Sequence, residues 1–409
     1  MGCSTSQSQG PTAVPVPKLF RRIGAAGKPS VNPERLAKGS AHLYEAMIGS
    51  LGPGALGKGR DPRSTVPEHW ASAYAVIGSA EACLLGVMNG GEHRQRIEQC
   101  GWWLINGMGC PTTGISAWGV PYARRIWNDE TDTPPGTGMC VPTALALNAL
   151  TDVYRCQAAP ESLRVAALRA AEKSAVEFAS TCFDWSGNSS VCFWYSVLPR
   201  HSYHVVNATA LMTGQIQKTA WISNNPSLGE TADAAVEYVL GQIRDENSNI
   251  WEGLYLGHKR PCGKKNRKND LVHAAMICHG LLDYKLYGGR HGGEYDYAEL
   301  VHVISRFCNG TEISEYADGR EGGGKRNKYA RVAGVGYALF VMARIEMITR
   351  QKHDRSLSLA LYNGLLAYGA NGRCMYERPG GERIRGRVRD IGNVLLGLAE
   401  FRRLVGAWQ

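Results

Sequence analysis

Residues Phe193 to Ala210 read FWYSVLPRHSYHVVNATA. Phe193, Trp194 and Tyr195 favour an extended start. Pro199 and Arg200 mark a polar turn. A helix is then expected, with Tyr203, His204 and Asn207 in its opening turn; helical spacing would place His204 and Asn207 on one face. The same order recurs along the chain: a polar amphipathic helix, a loop rich in aromatics and glycine, then a blander helix of Ala, Gly and Leu. The blander helices begin near Val76, Val141, Val205, Val272, Val332 and Ile391, at steps of roughly 60 residues. Their amphipathic companions are expected over Glu34–Ser50, His93–Asn106, Glu161–Phe183, Thr231–Asp245, Tyr295–Cys308 and Leu357–Tyr368. An amphipathic helix packs outside and one apolar all round lies inside. Six of each, closed in a ring, make an all-α (α/α)6 toroid; an open helical repeat or a two-domain bundle is the competing arrangement.

The toroid is expected over 34–409, preceded by a flexible arm over 1–33 that is rich in Ser, Gln, Pro and Gly. The arm opens MGCSTS, which fits N-myristoylation at Gly2 with a palmitoylatable Cys3. The 12 cysteines show no CxxC pairing and many sit in apolar helical runs, which reads as free thiols in a reducing compartment. No apolar run of transmembrane length or secretory segment is read, so a cytoplasmic chain is expected, held at a membrane where Gly2 and Cys3 are acylated in a eukaryotic cell. The net charge of +10 suits an anionic partner and selects none among them. An acidic oligo- or polysaccharide is the expected partner and nucleic acid is not; oligomeric state is left open.

If the inner helices run parallel, their N-termini converge on one mouth that favours anions. The loops entering them carry Trp118, Tyr122, Arg124 and Arg125; Tyr195, His201, Tyr203, His204 and Asn207; Trp251, Tyr255, Asn269, Asp270 and His273; Tyr329 and Arg331; and Tyr376, Arg378, Arg387 and Arg389. Aromatic faces stack on sugar rings, and arginines pair with carboxylates or phosphates. Cys140, ahead of an inner helix, is a second candidate, as a nucleophile paired with His204. The His273, Cys278 and His279 spacing suits no metal, and neither a metal nor another cofactor is expected.

Several stretches resemble a bacterial toroid family often encoded beside polysaccharide-biosynthesis genes, within the six-hairpin glycosidase and terpenoid-cyclase-like superfamily. They are Trp118-Gly119 in WGVPYARR, Gly136-Thr137 with Thr143-Ala144, Tyr195-Ser196, His204 with Asn207-Ala208, Gln242 to Trp251, and Asp270 with His273. The similarity spans about Trp118 to Gly289, under half the chain, in order and spacing. It implies a toroid and a carbohydrate context, and no defined reaction. The terpenoid-type DxDD and DDxxD clusters are missing from this sequence, which counts against an isoprenoid- or lipid-handling toroid.

Toroid polysaccharide lyases supply a fold-level analogy. Asn207 and His204 would neutralise a uronate carboxylate, Tyr195 or Tyr203 would move the proton, and Arg124 or Arg125 would add positive charge. Trp118, Tyr122, Trp251, Tyr255 and Arg378 would bind the sugar, with Asp270 and His273 in the same cavity wall. The expected function is a lyase or epimerase on a uronate-containing glycan. A hydrolase would draw on Asp270, Glu252 and Asp390, and a membrane-held toroid binding a partner protein is the non-enzymatic alternative.

Overall fold

The computed structural model describes residues 32–51, 56–61, 64–87, 90–126, 129–186, 189–244, 270–310, 312–317, 329–350, 355–370, 374–375 and 387–408. Gly2, Cys3, Trp251, Glu252, Tyr255, Asn269, Tyr376 and Arg378 lie outside them.

Among the described residues there are twelve α-helices: α1 (Pro33–Gly49), α2 (Ala71–Leu85), α3 (Gly91–Asn106), α4 (Cys140–Arg155), α5 (Glu161–Thr181), α6 (Val206–Ser223), α7 (Pro226–Arg244), α8 (Leu271–Leu286), α9 (Tyr297–Ser305), α10 (Val332–Thr349), α11 (Arg355–Leu366) and α12 (Val388–Gly406). The even-numbered helices form the inner ring. Each packs on the next, and α12 packs back on α2, so the ring closes. The odd-numbered helices lie outside. The fold is an (α/α)6 toroid, all-α as the periodicity predicts.

Composition explains the two layers. Every residue of α6 from Val206 to Ala220 is buried. Helix α10 is long and apolar enough to cross a bilayer by length and composition, yet 83% of it is buried inside the ring. In α5 the buried residues recur at Leu163, Ala167, Ala170, Ala171 and Ala175, one face of a helix. The contacts also refine the hairpins. Each inner helix packs on the outer helix that follows it across a short turn, such as 156–160 or 224–225. Helix α1 has no predecessor and packs on α12, which joins the start of the ring to its end.

Close approach of the inner helices depends on glycine. A Cβ on Gly280 of α8 would stand 1.9 Å from the Ala210 carbonyl oxygen of α6. A Cβ on Gly397 of α12 would stand 2.2 Å from the Gly336 carbonyl oxygen of α10. Further along the ring a buried polar belt ties four inner helices. Arg344 Nη2 donates to Asp283 Oδ1 at 2.6 Å and Gln215 Nε2 to Asp283 Oδ2 at 2.9 Å. Lys218 Nζ reaches Asp152 Oδ1 at 2.5 Å and Asn148 Oδ1 at 2.9 Å. Burial alone would raise the Asp283 carboxyl, but Arg344 and His279 hold it well below the usual range.

The segments entering the inner helices are long and, among the described residues, carry four two-stranded antiparallel hairpins: β1 (Lys58–Asp61) with β2 (Ser64–His69), β3 (Phe183–Ser186) with β4 (Ser190–Phe193), β5 (Cys308–Asn309) with β6 (Glu312–Ile313), and β7 (Gly369–Ala370) with β8 (Cys374–Met375). They precede α2, α6, α10 and α12. The elaboration of the fold is thus concentrated where the inner helices begin. Nine described cysteines are free and seven of them are buried, as the scattered pattern predicts.

Candidate active site

A cavity of about 1060 Å³, counting the part open to solvent, sits at the inner-helix starts. The first turn of every inner helix contributes to its lining: Ser72 from α2, Val141 from α4, Asn207 from α6, His273 from α8, Ala333 from α10 and Arg389 from α12. Six sets of N-terminal backbone N–H groups therefore converge on one space, and each end carries partial positive charge.

The side chains reinforce that sign. Arg124, Arg331 and Arg389 line the cavity against one carboxylate, Asp390, among the described lining residues. Arg331 is the N-cap residue of α10. Its guanidinium is held by Glu315 Oε1 at 3.0 Å and by Asp270 Oδ2. The Arg389 guanidinium lies 5.7 Å from the centre of the Trp70 ring.

Asp270 caps α8 and orients His273. Its Oδ1 accepts the His273 backbone N–H at 3.2 Å and the ring Nδ1–H at 2.6 Å. Burial pushes the Asp270 carboxyl up, but His273 and Arg331 outweigh it and hold it at about 2. Asp270 is therefore a permanent anion behind the imidazole, which fixes the orientation of the ring.

Two lining groups are short of partners. Asn207 is 2% exposed, and its Oδ1 accepts no hydrogen bond. Its Nδ2 reaches only the Met276 thioether, at 3.9 Å. Arg124 has its main chain fixed by paired bonds with Thr133, at 3.1 and 2.7 Å. Its buried Nε–H donates to nothing. An orphan acceptor and an orphan donor thus share one cavity, two of eleven buried side-chain atoms without a hydrogen-bond partner among the described residues.

Of the residues singled out from the sequence, Tyr195, Asn207, His273 and Arg124 line the cavity, with Asp270 directly behind His273. The others are placed differently. The helix starts at Val206 and Val205 is extended, at φ −119°, so helical spacing does not apply between His204 and Asn207. His204 instead meets Asp184 Oδ2 at 3.2 Å and the edge of Tyr238. The Tyr203 hydroxyl donates to Asp129 Oδ1 at 2.7 Å, and burial with Asp129 pushes its phenol up to about 12. Trp118 is a core residue, 2% exposed, whose Nε1–H donates to the Leu104 carbonyl at 3.0 Å. Tyr122 packs against Trp70, and Arg125 points outward toward Asp132 at 3.4 Å. Cys140 is fully buried and burial pushes its thiol well up, so it is no nucleophile. Arg331, Arg389 and Asp390 also belong to the cavity; the two arginines are expected in the loops at the mouth and Asp390 as a hydrolase carboxylate, none of them with a part in the proton transfer. Their signal is positional, since each stands within three residues of the first residue of an inner helix.

The sequence matches no family model and no curated protein. Solved structures share the fold. Cellobiose 2-epimerase from Spirochaeta thermophila superposes with a TM-score of 0.62 at 13% identity, over 93% of this chain and 100% of its own. A glycoside hydrolase family 76 mannosidase from Bacteroides thetaiotaomicron gives 0.63 at 11% identity, over 92% and 100%. Dfg5 from Chaetomium thermophilum, solved with glucosamine, gives 0.60 at 16% identity, over 92% of each chain. At such identities the likeness is one of fold.

Proposed function

We propose that this cavity is the active site of a carbohydrate-processing enzyme, and that its substrate is an acidic, uronate-containing glycan acted on by proton exchange. The observation that carries the reading is the pair of orphans. Arg124 Nε–H lacks an acceptor and Asn207 Oδ1 lacks a donor. A uronic acid ring offers both, a carboxylate to accept from Arg124 and a hydroxyl to donate to Asn207. Arg124 and Arg389 in the lining, beside an Arg331 already held by Asp270 and Glu315, and the convergent helix N-termini favour the same anion. The fold neighbours act on sugars by their names, which adds a saccharide context.

In this reading His273, steadied by Asp270, takes the proton from the carbon bearing the carboxylate. Charge then moves onto the carboxylate oxygens, where Arg124 and Arg389 stabilise it. A lyase completes the reaction by breaking the bond to the neighbouring glycosidic oxygen, which takes a proton from Tyr195 as the double bond forms. In an epimerase His273 keeps the proton it took, and Tyr195 gives its own proton to the carbon from the opposite face. Hydrolysis is less well served. It uses two carboxyl groups across the scissile bond, and of the described carboxylates near the site Asp270 is committed to His273 and Arg331.

The test is incubation with acidic and neutral oligosaccharides in D2O. Deuterium at the carbon next to the carboxylate, or an unsaturated product, supports the reading. Turnover of neutral glycans alone overturns it. Acylation at Gly2 and Cys3 is a separate proposal that rests on the sequence.

A further inference from the structure

His201 is fully buried, and three bonds radiate from it. Its Nε2 lies 2.5 Å from Asp129 Oδ2, and its Nδ1 lies 2.6 Å from Ser196 Oγ. Its backbone carbonyl accepts the Tyr195 N–H at 3.1 Å. Burial pushes the imidazole down, toward the neutral ring, while Asp129 pulls the other way. A neutral ring then donates from Nε2 to Asp129 and accepts the Ser196 hydroxyl at Nδ1. Ser196 in turn accepts the Leu198 N–H at 3.2 Å.

A Ser–His–Asp chain suggests a nucleophile, and burial argues against one here. Ser196 is 0% exposed, and no cavity residue other than Tyr195 belongs to this group. Its position says what it does. Asp129 lies in segment 107–139, which carries Arg124; Ser196 and His201 lie in segment 182–205, which carries Tyr195. The two segments meet again where Thr133, paired with the Arg124 main chain, lies 3.4 Å from His201 Nε2. They meet also where Arg200 Nη1 donates to Thr131 Oγ1 at 2.6 Å.

We propose that Asp129 and His201 are positioning residues that clamp these segments together and so hold Arg124 and Tyr195 in register across the cavity. The proposal rests on the uronate reading for its consequence and on the clamp's geometry for its premise. Asp129 bonds to His201 and Tyr203, neither of which lines the cavity, so its influence on the ligand runs through His201 and Thr133. Arg124 has no side-chain partner of its own at Nε. Its placement is therefore set by its main chain, which is paired with Thr133, and the clamp ties that pair to segment 182–205 through His201.

The experiment compares the wild-type chain with Asp129→Asn, His201→Gln, the double variant and Tyr203→Phe. Asp129→Asn keeps the side chain's volume, so it carries the test should His201→Gln fail to fold. D-glucuronate affinity is measured by calorimetry and backbone amide exchange by mass spectrometry. Affinity is expected to fall about tenfold in each clamp variant, with the double variant no worse than either, as coupled residues require. Exchange should quicken together at Arg124, Thr133 and Tyr195 and stay unchanged in the inner helices. Tyr203→Phe removes one bond to Asp129 and leaves His201 attached, so it should change affinity less than about threefold. Loosened segments with unchanged affinity overturn the proposal, and so does unchanged exchange. If the wild-type chain binds no D-glucuronate, the uronate reading fails. The clamp is then decided by exchange alone, standing if the three amides quicken together and falling if they do not.

Discussion

Asp270 holds His273 twice through one oxygen, accepting its backbone N–H at 3.2 Å and its ring Nδ1–H at 2.6 Å. One carboxylate therefore caps α8 and aims the imidazole that lines the cavity. The two roles separate by substitution. Asparagine is as good an N-cap as aspartate but carries no charge.

Asp270→Asn should accordingly leave the helix capped while turnover falls by tenfold or more. Acid stability should change as well. The folded carboxyl is held at about 2, below its unfolded value. Its contribution is therefore present above about pH 4 and is lost as pH falls from about 4 to 2, on the order of 2 kcal/mol. Urea unfolding across that window should show the loss in the wild-type chain and a flatter profile in Asp270→Asn.

His204→Ala is expected to act on stability. It removes a partner of Asp184 and a ring packed on Tyr238. A cost of about 1–3 kcal/mol should appear in denaturant unfolding, while turnover per folded molecule stays within about threefold of wild type. Cys140→Ala should likewise keep turnover, because its thiol is buried away from the cavity.

Gly280→Ala tests the ring. The added Cβ would stand 1.9 Å from a backbone oxygen of α6, which cannot give way as a side chain can. A loss of about 3 kcal/mol or more is expected. Thermal unfolding within a degree or two of wild type would mean that α6 and α8 do not approach as described.

Gly2→Ala should move the chain from membranes to the soluble fraction of a eukaryotic cell, if the MGCSTS signal is used. An unchanged distribution removes the anchoring proposal and leaves the cavity reading untouched.

The ring was legible because its signal is long-range and redundant. Six apolar runs at similar spacing admit few arrangements, and the expected starts fall within five residues of the observed ones. The start set at Val76 is late because the helix opens with Ala71-Ser72-Ala73-Tyr74-Ala75, small residues that weigh little in a hydrophobic pattern. The site was less legible because it depends on where a helix begins to the residue. Placing Tyr203 and His204 in the opening turn of α6, which begins at Val206, put His204 on the face of Asn207, whereas extended backbone at Val205 turns it toward Asp184. Asn207 survived that error because it lies inside the helix. The cationic lining was visible as composition, but only the ring shows that Arg124, Arg331 and Arg389 come from separate segments to one space.

The central claim is that Arg124 and Asn207 are left unpaired for an acidic sugar. The most direct measurement is calorimetric titration of D-glucuronate and D-glucose into the wild-type chain, Arg124→Ala and Asn207→Ala, with thermal unfolding of each. Charge-assisted bonds contribute about 1.5–3 kcal/mol. The account predicts that wild type prefers glucuronate and that Arg124→Ala loses about 10- to 100-fold of that affinity. Asn207→Ala should lose affinity too, with melting temperatures unchanged or raised because no protein bond to Asn207 Oδ1 is lost. Equal affinity for both sugars, or full glucuronate affinity in both folded variants, would contradict it.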